Sequence, residues 1–470
     1  MPDEYADLDA SDQAHLVRSD EVTPLELVES AISRIGDLNP ALNAVITPLY
    51  EKACEQAKSP ELPDGPFRGV PMVLKDFICH SAGDPFFEGM NYLKKLTWTE
   101  SDDTHLAAKF REAGFITVGK TNTCELGMTP DTQPDAFGPT RNPWNTELTP
   151  FGSSGGSAAA VASRMVPVGH ANDGGGSIRM PAGACGLVGL KPTNGRVSLG
   201  PAFGDILGGL AVEHVVTRSV RDSASILDAI SKPMPGDPAP MAWVPGQFAE
   251  AAAHHPERPL RIGLMDSHAG TTVHADCVEA VKGAAQTLEA LGHHVELSAP
   301  AAVQDPAFVF HFGRQMCAAV AWILDHYWPR YTGVPIDEED VEPLTWAMAE
   351  AGREMNGGDF LAGREAQQSF GRDIAMWFDA GGFDLLLTPT TPVRPPDVGT
   401  PAPIAAVYFT FPFNSTGQPA ISLPLHHCSD GLPIGIQLVA RHGREDLLLS
   451  IATQLEQHCG WLTRKPPVSA

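Results

Sequence analysis

Apolar residues repeat at helical spacing in several parts of this chain. One repeat begins after Thr23, which is suited to cap a helix, and Pro24 and Glu26 occupy the positions that such a cap favours. The apolar residues that then fall on one helical face are Leu25, Val28, Ile32 and Ile35. The pattern therefore predicts an amphipathic helix that begins near Pro24.

Short apolar runs alternate with helical segments along the rest of the chain. A helix is predicted over residues 103–113, where Gly114 ends it, and a short buried strand follows at residues 115–118. Residues 260–264 and 294–297 have the pattern of strands on either side of a further helix. This alternation predicts an α/β fold whose core is a twisted, mixed and mostly parallel β-sheet, with helices on both faces.

The segment 231–259 interrupts this pattern with many Pro, Ala and Gly residues. A domain linker is one interpretation, but we favour a surface excursion, because the strand and helix patterns on its two sides are alike. The chain is then a single large domain over residues 1–470. N-terminal helices (1–65) precede a core that carries the candidate chemistry (66–230). The second part of the sheet and the helices of a substrate pocket follow at 260–470.

Charge and the N-terminal residues narrow the classes of partner. The 470 residues include 57 Asp and Glu against 32 Lys and Arg, a formal net charge of −25. A surface this acidic repels nucleic-acid phosphates and anionic lipid, so we expect neither nucleic acid nor a membrane as the main partner. The first residues, MPDE, lack the basic and apolar stretches of a signal peptide, and no run of 18 apolar residues occurs. We therefore expect a cytoplasmic protein.

Cysteine spacing argues against a metal site. The eight cysteines form no CxxC pair, and no histidine stands beside them at the spacing of metal ligands. Small buried side chains in a reducing compartment explain these cysteines best. This spacing therefore predicts no metal site.

Residues 114–121 (GFITVGKT) match the phosphate-loop pattern GxxxxGK[ST] letter for letter. A phosphate loop requires a strand before its first glycine and a flexible turn between its glycines, so that backbone N–H groups can surround phosphate. Here a predicted helix precedes Gly114, and the four intervening residues are themselves a predicted strand. We therefore interpret the match as accidental.

A second pattern, GSSGG at residues 152–156, fits the nucleophile-elbow motif GxSxG with Ser154 as the nucleophile. That mechanism also needs an acid and a histidine further along the chain, and His426, His427 and His442 are available. It leaves the rest of the Gly- and Ser-rich region unexplained. The motif alone therefore does not decide which serine reacts.

Three glycines, Gly174, Gly175 and Gly176, directly precede Ser177. Glycine lets the backbone adopt shapes that are closed to other residues, so several N–H groups can turn toward one point. Such an array can hold the oxyanion of a tetrahedral intermediate beside a nucleophilic serine. A tight turn is the alternative, but a second Gly/Ser cluster lies in the same Ala-rich region. The chemistry favours Ser177 as the nucleophile of an acyl transfer.

Taken together, these motifs resemble the amidase signature family. Residues 151–162 (FGSSGGSAAAVA) look like the family's signature, and Ser177 follows Ser153 at its spacing of 24 residues. GVP at residues 69–71, leading to Lys75, looks like its upstream lysine motif. Further similarities occur in the family's order at residues 119–125, 141–144 and 411–424. The resemblance covers the chain from about residue 20 to the end and is consistent with one domain.

The resemblance implies a serine hydrolase that cleaves a carbon–nitrogen acyl bond and requires no metal or organic cofactor. In this assignment Ser177 is the nucleophile, Ser153 is a proton relay that follows a cis peptide bond, and Lys75 is a neutral base. The remaining site residues are Gly174, Gly175 and Gly176 at the oxyanion, with Ser154, Asp173 and Arg179 in support. A lysine acts as a base only where burial lowers its pKa toward the working pH, and the apolar run before Lys75 is consistent with that.

Two positions depart from the family's usual pattern. Phe151 stands where glycine is common, and Gly174 stands where Thr, Ser or Ile is usual. Neither change removes a reacting group. We expect Phe151 to shape the pocket and Gly174 to leave the oxyanion loop less constrained.

Within the family, the chain looks most like hydrolases of amide oligomers, such as the 6-aminohexanoate cyclic dimer, and like aryl-amidases and urethanases. We expect a small, fairly apolar amide or carbamate as substrate. The pocket is predicted to be lined by residues 81–98, the aromatic stretch 308–331 and residues 409–413. The alternative is the glutaminase-type A subunit of a tRNA-dependent amidotransferase, which works with partner subunits. A non-enzymatic binding module is disfavoured by the intact reacting residues, and a homodimer is compatible with the sequence.

Overall fold

The computed structural model describes residues 5–470, and one mixed sheet forms its centre. The strands are β1 (Val45–Pro48), β2 (Pro71–Lys75), β3 (Ile116–Thr121), β4 (Val168–Asp173), β5 (Val188–Lys191), β6 (Val212–Thr217), β7 (Arg261–Leu264), β8 (His294–Leu297), β9 (Leu385–Pro389), β10 (Ala420–His427) and β11 (Pro433–Ala440). Their order across the sheet is β1-β3-β2-β4-β6-β5-β10-β11-β9-β7-β8.

Neighbouring strands run in both directions. The parallel pairs are β3–β2, β2–β4, β9–β7 and β7–β8. The other six neighbouring pairs are antiparallel. The mixed sheet is confirmed, but the expectation of a mostly parallel sheet is wrong. Strand–helix–strand units, which produce parallel pairs, build the outer parts of the sheet, whereas the central strands include the β10–β11 hairpin, and hairpins are antiparallel.

Sixteen α-helices accompany the sheet in residues 5–470. They are α1 (Ala10–Arg18), α2 (Pro24–Leu42), α3 (Tyr50–Lys58), α4 (Asn91–Lys95), α5 (His105–Glu112), α6 (Gly155–Ala162), α7 (Arg179–Cys185), α8 (Val220–Ile230), α9 (Gln247–Ala252), α10 (Ala275–Ala290), α11 (Pro306–Trp322), α12 (Trp328–Thr332), α13 (Pro343–Arg353), α14 (Gly357–Gly381), α15 (Pro412–Ser415) and α16 (Glu445–Cys459).

Side chains of each strand alternate between two apolar cores. Met72 and Leu74 of β2 pack into the core that α5, α8, α10 and α16 cover, and Val73 packs into the core that α2, α3 and α6 cover. A third cluster, built mainly from α11, α13 and α14, adds to the second face. Helices therefore flank both faces of one sheet, and the predicted single α/β domain is confirmed.

The locally clear sequence patterns form the predicted elements. Thr23 caps α2, where its Oγ1 accepts the N–H of Glu26 at 3.3 Å and the Glu26 carboxylate accepts the N–H of Thr23 at 2.8 Å. The helix predicted over residues 103–113 is α5, and the unit predicted from residue 260 onward is β7–α10–β8 with its strands parallel. The N-terminal segment also contains β1, which the sequence did not predict.

The strand after α5 is longer than predicted and decides the phosphate-loop question. β3 continues through Gly119, Lys120 and Thr121, where it pairs with β1 and β2. Lys120 is buried and its Nζ lies 3.3 Å from the Asp76 carboxylate. Because these residues belong to a paired strand, their backbone cannot surround phosphate. The accidental match is confirmed.

One long helical segment is apolar enough to raise the question of a membrane. Pro306–Thr332 could cross a bilayer by length and composition alone. In the fold, α11 packs against α13 and α14, and 44% of the segment's most apolar window is buried. Core helices of soluble proteins pass the same test, so this segment is weak evidence for a membrane span.

Candidate active site

Lys75 occupies the end of strand β2 inside the protein. Its side chain is fully buried. Its Nζ donates to Ser153 Oγ at 2.7 Å and to Asn172 Oδ1 at 2.5 Å. Burial lowers the pKa of Lys75 from its ordinary 10.5 to about 8, against the opposite effect of nearby Glu213 and Asp173. The amine can therefore be neutral at mildly alkaline pH and can exchange a proton with a serine hydroxyl.

Ser153 lies in a tight loop just before helix α6. The peptide bond between Gly152 and Ser153 is cis, as the resemblance implies. A Cβ at Gly152 would lie 1.9 Å from the carbonyl oxygen of Asp131, so only glycine fits there. Thr132 Oγ1 holds the loop by donating to the carbonyl of Phe151 at 3.0 Å. These contacts direct Ser153 toward Lys75.

Ser177 lies in the turn between β4 and α7, next to an apolar cavity. Ser153 and Asn172 line the same cavity, together with Gly174 and Gly175. Ser177 itself is only 7% exposed. The structure thus brings the sequence-predicted Lys75, Ser153 and Ser177 to one site, although they come from three separate segments.

A buried ion pair holds the turn that carries Ser177. Arg179 donates to Asp173 through Nε at 3.0 Å and through a terminal nitrogen at 2.9 Å. The Asp173 carboxylate also accepts the N–H of Ile178 at 3.0 Å and a side-chain N–H of Asn414 at 2.8 Å. Burial alone would raise the pKa of Asp173, but Arg179 and Asn414 hold it at about 2. Asp173 and Arg179 are therefore positioned to fix the turn, without contacting the cavity themselves.

The glycines of this turn fit closely against their surroundings. Gly176 has a φ of +143°, and a Cβ there would lie 2.4 Å from Thr410 Oγ1. A Cβ at Gly175 would lie 3.1 Å from the Phe312 ring. Thr410 Oγ1 donates to the carbonyl of Gly175 at 2.6 Å. Within residues 5–470, the N–H groups of Gly175, Gly176 and Ser177 donate to no protein acceptor.

Ser154 has a different environment from Ser153. Its hydroxyl is fully buried and donates to the carbonyl of Asn172 at 3.2 Å, and it does not line the cavity. The histidines proposed to serve Ser154 lie elsewhere: His426 pairs with Ile434 across β10 and β11, His427 packs edge-on against Trp144, and His442 lines a different cavity. In the described part of the chain, the nucleophile elbow at Ser154 therefore lacks its histidine.

The cavity beside Ser177 has a volume of about 430 Å³. Its apolar wall comes mainly from four segments, and five further residues complete it: residues 127–131, residues 309–317 of α11, Leu344 and Met348 of α13, and residues 401–407, with Phe77, Ile78, Met180, Leu207 and Ala211. The expectation for 308–331 is confirmed for its first half, whereas the expectations for 81–98 and 409–413 are wrong. Aromatic side chains of those two segments pack in the core instead, where Phe86 packs on Trp328 and Phe411 packs on Phe312.

Sequence reasoning missed Asn172. It lies within β4, where its amide donates to the carbonyl of Phe77 at 2.8 Å while its oxygen accepts from Lys75. The available signal was the polar end of β4, where His170, Asn172 and Asp173 follow an apolar beginning. Within residues 5–470, no three His, Cys, Asp or Glu side chains come together as metal ligands would.

The sequence and the fold of this chain are similar to those of known proteins. Residues 26–449 match the family model described as Amidase. The chain is 40% identical to a 6-aminohexanoate-cyclic-dimer hydrolase of Paenarthrobacter ureafaciens, over 97% of this chain and 96% of that protein. The solved structure of 6-aminohexanoate cyclic dimer hydrolase superposes with a TM-score of 0.93 at 40% identity, covering 98% of this chain and 99% of that chain. A bacterial aryl acylamidase of the amidase signature (AS) enzymes family superposes with a TM-score of 0.88 at 27% identity, covering 98% and 99%.

Proposed function

The chain belongs to the amidase family, whose members hydrolyse amide bonds, and from this premise we propose that it cleaves a small, uncharged and largely apolar amide through an acyl-enzyme on Ser177. One observation carries the proposal. A fully buried Lys75 contacts the hydroxyl of Ser153 beside the cavity that Ser177 lines. A buried lysine with two hydrogen bonds and a pKa lowered to about 8 is suited to act as a base.

In the proposed cycle, Ser177 Oγ attacks the acyl carbon while its proton passes through Ser153 to the amine of Lys75. The backbone N–H groups of Gly174, Gly175, Gly176 and Ser177 stabilise the oxyanion that forms. Each such donor is worth about 2.7–4 kcal/mol of barrier in acyl-transfer enzymes. Ser153 then delivers the proton to the departing nitrogen, and the carbon–nitrogen bond breaks. Water, activated by the same relay, releases the acid and restores Ser177.

The wall of the cavity supports an uncharged substrate. Asp131 is the charged side chain among its lining residues. Its two oxygens already accept hydrogen bonds, from Thr129 Oγ1 at 2.9 Å and from the N–H of Ala402 at 2.9 Å. A ligand carboxylate would lose its hydration in this cavity without gaining a cationic partner, since no lysine, arginine or histidine of the described residues lines it. We therefore propose cyclic or linear aliphatic amides, anilides and small carbamates as the substrate class.

The same feature disfavours the glutaminase alternative. Glutamine carries an ammonium and a carboxylate, and binding both requires charged or strongly polar partners. The cavity lining offers Asp131 for the ammonium, but among the described residues it offers no cation for the carboxylate. Glutamine should be a poor substrate.

Two further properties remain predictions: a cytoplasmic location and a homodimeric state. The eight cysteines, all free thiols, support the first.

A substrate panel tests this proposal. The 6-aminohexanoate cyclic dimer, a small anilide, a carbamate and glutamine are offered to the wild type, to Ser177→Ala and to Ser163→Ala. Ser163 is a matched control, because it is a buried serine at the end of α6 whose hydroxyl donates to the carbonyl of Ala159 at 2.7 Å. We expect Ser163→Ala to cleave the neutral substrates and Ser177→Ala to cleave none. A preference for glutamine would support the amidotransferase alternative instead.

A further inference from the structure

The hydrogen-bond ladder between β2 and β4 stops before Lys75. The two strands pair at Met72 with Val168 and at Val73 with Gly169. At Lys75, the backbone N–H donates to the Nδ1 atom of His170 at 3.2 Å. A side chain thus takes the place of a backbone carbonyl at the end of the strand that presents Lys75.

This hydrogen bond defines the protonation of His170. Because Nδ1 accepts, the ring proton must be on Nε2, and this atom donates to the carboxylate of Glu213. The imidazole is therefore neutral, and the His170–Glu213 pair keeps the full negative charge of the carboxylate. Both side chains are essentially excluded from solvent, at 0% and 1% exposure.

Glu213 lies beside a residue that holds the base. It pairs with Asn172 across β4 and β6, and Asn172 accepts the second hydrogen bond from Lys75 Nζ. The other carboxylate oxygen of Glu213, Oε1, is buried and has no partner among the described residues. A buried carboxylate oxygen without a partner is costly, and such an arrangement calls for a compensating role.

The other ionisable groups near Lys75 do not supply a free charge. They come from β3, β4, β6 and the adjoining loops: Asp76, Cys79, Lys120, Cys124, Asp173 and His214. Asp76 pairs with Lys120, and Asp173 pairs with Arg179. Burial raises the pKa values of the two thiols and lowers that of His214, so all three are neutral near pH 8. Within residues 5–470, Glu213 is the carboxylate near the amine that no cation pairs with.

We propose that His170 and Glu213 are positioning residues for Lys75, in which His170 holds the end of β2 and the carboxylate of Glu213 supplies negative charge in the surroundings of the amine. The inference rests on the proposed function, because it assigns the role of base to Lys75. Burial lowers the pKa of Lys75, and the charge of Glu213 opposes that effect. Glu213 thereby keeps the amine basic enough to take the proton of a serine.

Two substitutions of Glu213 separate its charge from its contact. Glu213→Gln keeps an oxygen that can accept from His170 but removes the charge. Its acid limb in the pH profile of kcat/KM should move downward by about half a pH unit or more, while the plateau rate stays within about tenfold of wild type. Glu213→Asp keeps the charge but withdraws it by one methylene from His170. Its limb should stay near that of the wild type while its plateau falls.

A third variant serves as the control, and a thermal unfolding scan checks that each variant is folded. Glu456→Gln is the matched control, because Glu456 is a partly buried carboxylate that accepts the N–H of Val220 at 2.9 Å. This substitution should leave the acid limb in place. An unmoved limb in Glu213→Gln would overturn the proposal, as would a shifted limb in Glu213→Asp. Either variant decides the matter if the other fails to fold. If Lys75→Ala remained active, the proposed function would fail instead, so the two failures are distinguishable.

Discussion

The Nζ atom of Lys75 lies 2.7 Å from Ser153 Oγ although 78 positions separate the two residues in the chain. The contact joins the end of β2 to the loop before α6. It is buried, so no bulk water competes with it. A lysine held in this way can return to the neutral state near pH 8. The serine hydroxyl that it contacts belongs to a residue that lines the cavity.

The first prediction concerns pH. Lys75 must be neutral to accept a proton, and its pKa is lowered to about 8, so kcat/KM should rise with pH and level off above that value. Each pH unit below the limb should cost roughly tenfold, because the neutral fraction falls tenfold. The measurement is kcat/KM for a neutral anilide between about pH 6 and pH 10. A rate that rises as the pH falls below 6 would contradict the account.

The second prediction separates the adjacent serines. Ser153→Ala removes the group between Lys75 and Ser177, so kcat should fall by about 10²–10⁴. Ser154→Ala removes one hydrogen bond to the carbonyl of Asn172, which costs about 1 kcal/mol of stability and leaves kcat within about tenfold. Steady-state kinetics on both variants test this. A larger loss in Ser154→Ala would favour the nucleophile-elbow interpretation.

These serines could be predicted from the sequence because short Gly/Ser motifs and the spacing between them identify them. The Gly-rich run before Ser177 indicates an oxyanion site by itself, and the capping residues of α2 and the β7–α10–β8 unit are equally local. The choice of Ser153 and Lys75 depended on the spacing that the resemblance supplied. These features could be predicted because each depends on residues within one or two elements.

Other features could not be predicted, since they depend on distant parts of the chain. The antiparallel centre of the sheet follows from how β4, β6, β5 and β10 come together, and no short pattern encodes that order. Residues 401–407 line the cavity only because the segment after β9 returns to it. Asn172 and His170 acquire their roles from the approach of β2 to β4.

The third prediction concerns the buried ion pair. Arg179→Met leaves the Asp173 carboxylate buried without its cation, and loss of one partner in such a pair costs about 3–5 kcal/mol. Thermal unfolding should show a clearly lower Tm and reduced activity. Arg372→Met is the control, because Arg372 pairs with Glu365 on the surface, and its Tm should match the wild type. Equal Tm values for the two variants would contradict a structural role for Arg179.

The fourth prediction concerns the glycine turn. Gly176→Ala places a Cβ 2.4 Å from Thr410 Oγ1 at a φ that is unfavourable for alanine. The turn must therefore shift, and its N–H groups no longer point toward the oxyanion. Misplacing one oxyanion donor should reduce kcat on the order of 10²-fold. Gly36→Ala, within α2 and with no atom within 4 Å of its added Cβ, should retain full activity. Wild-type kcat in Gly176→Ala would refute the proposed oxyanion site.

The most direct test of the account is to find the residue that carries the acyl group. The enzyme is mixed with a slowly hydrolysed anilide or activated ester, quenched during turnover, digested and analysed by mass spectrometry. The account predicts an acyl adduct on Ser177 that is absent from Ser177→Ala. An adduct on Ser154 or another residue, or undiminished turnover by Ser177→Ala, would contradict it.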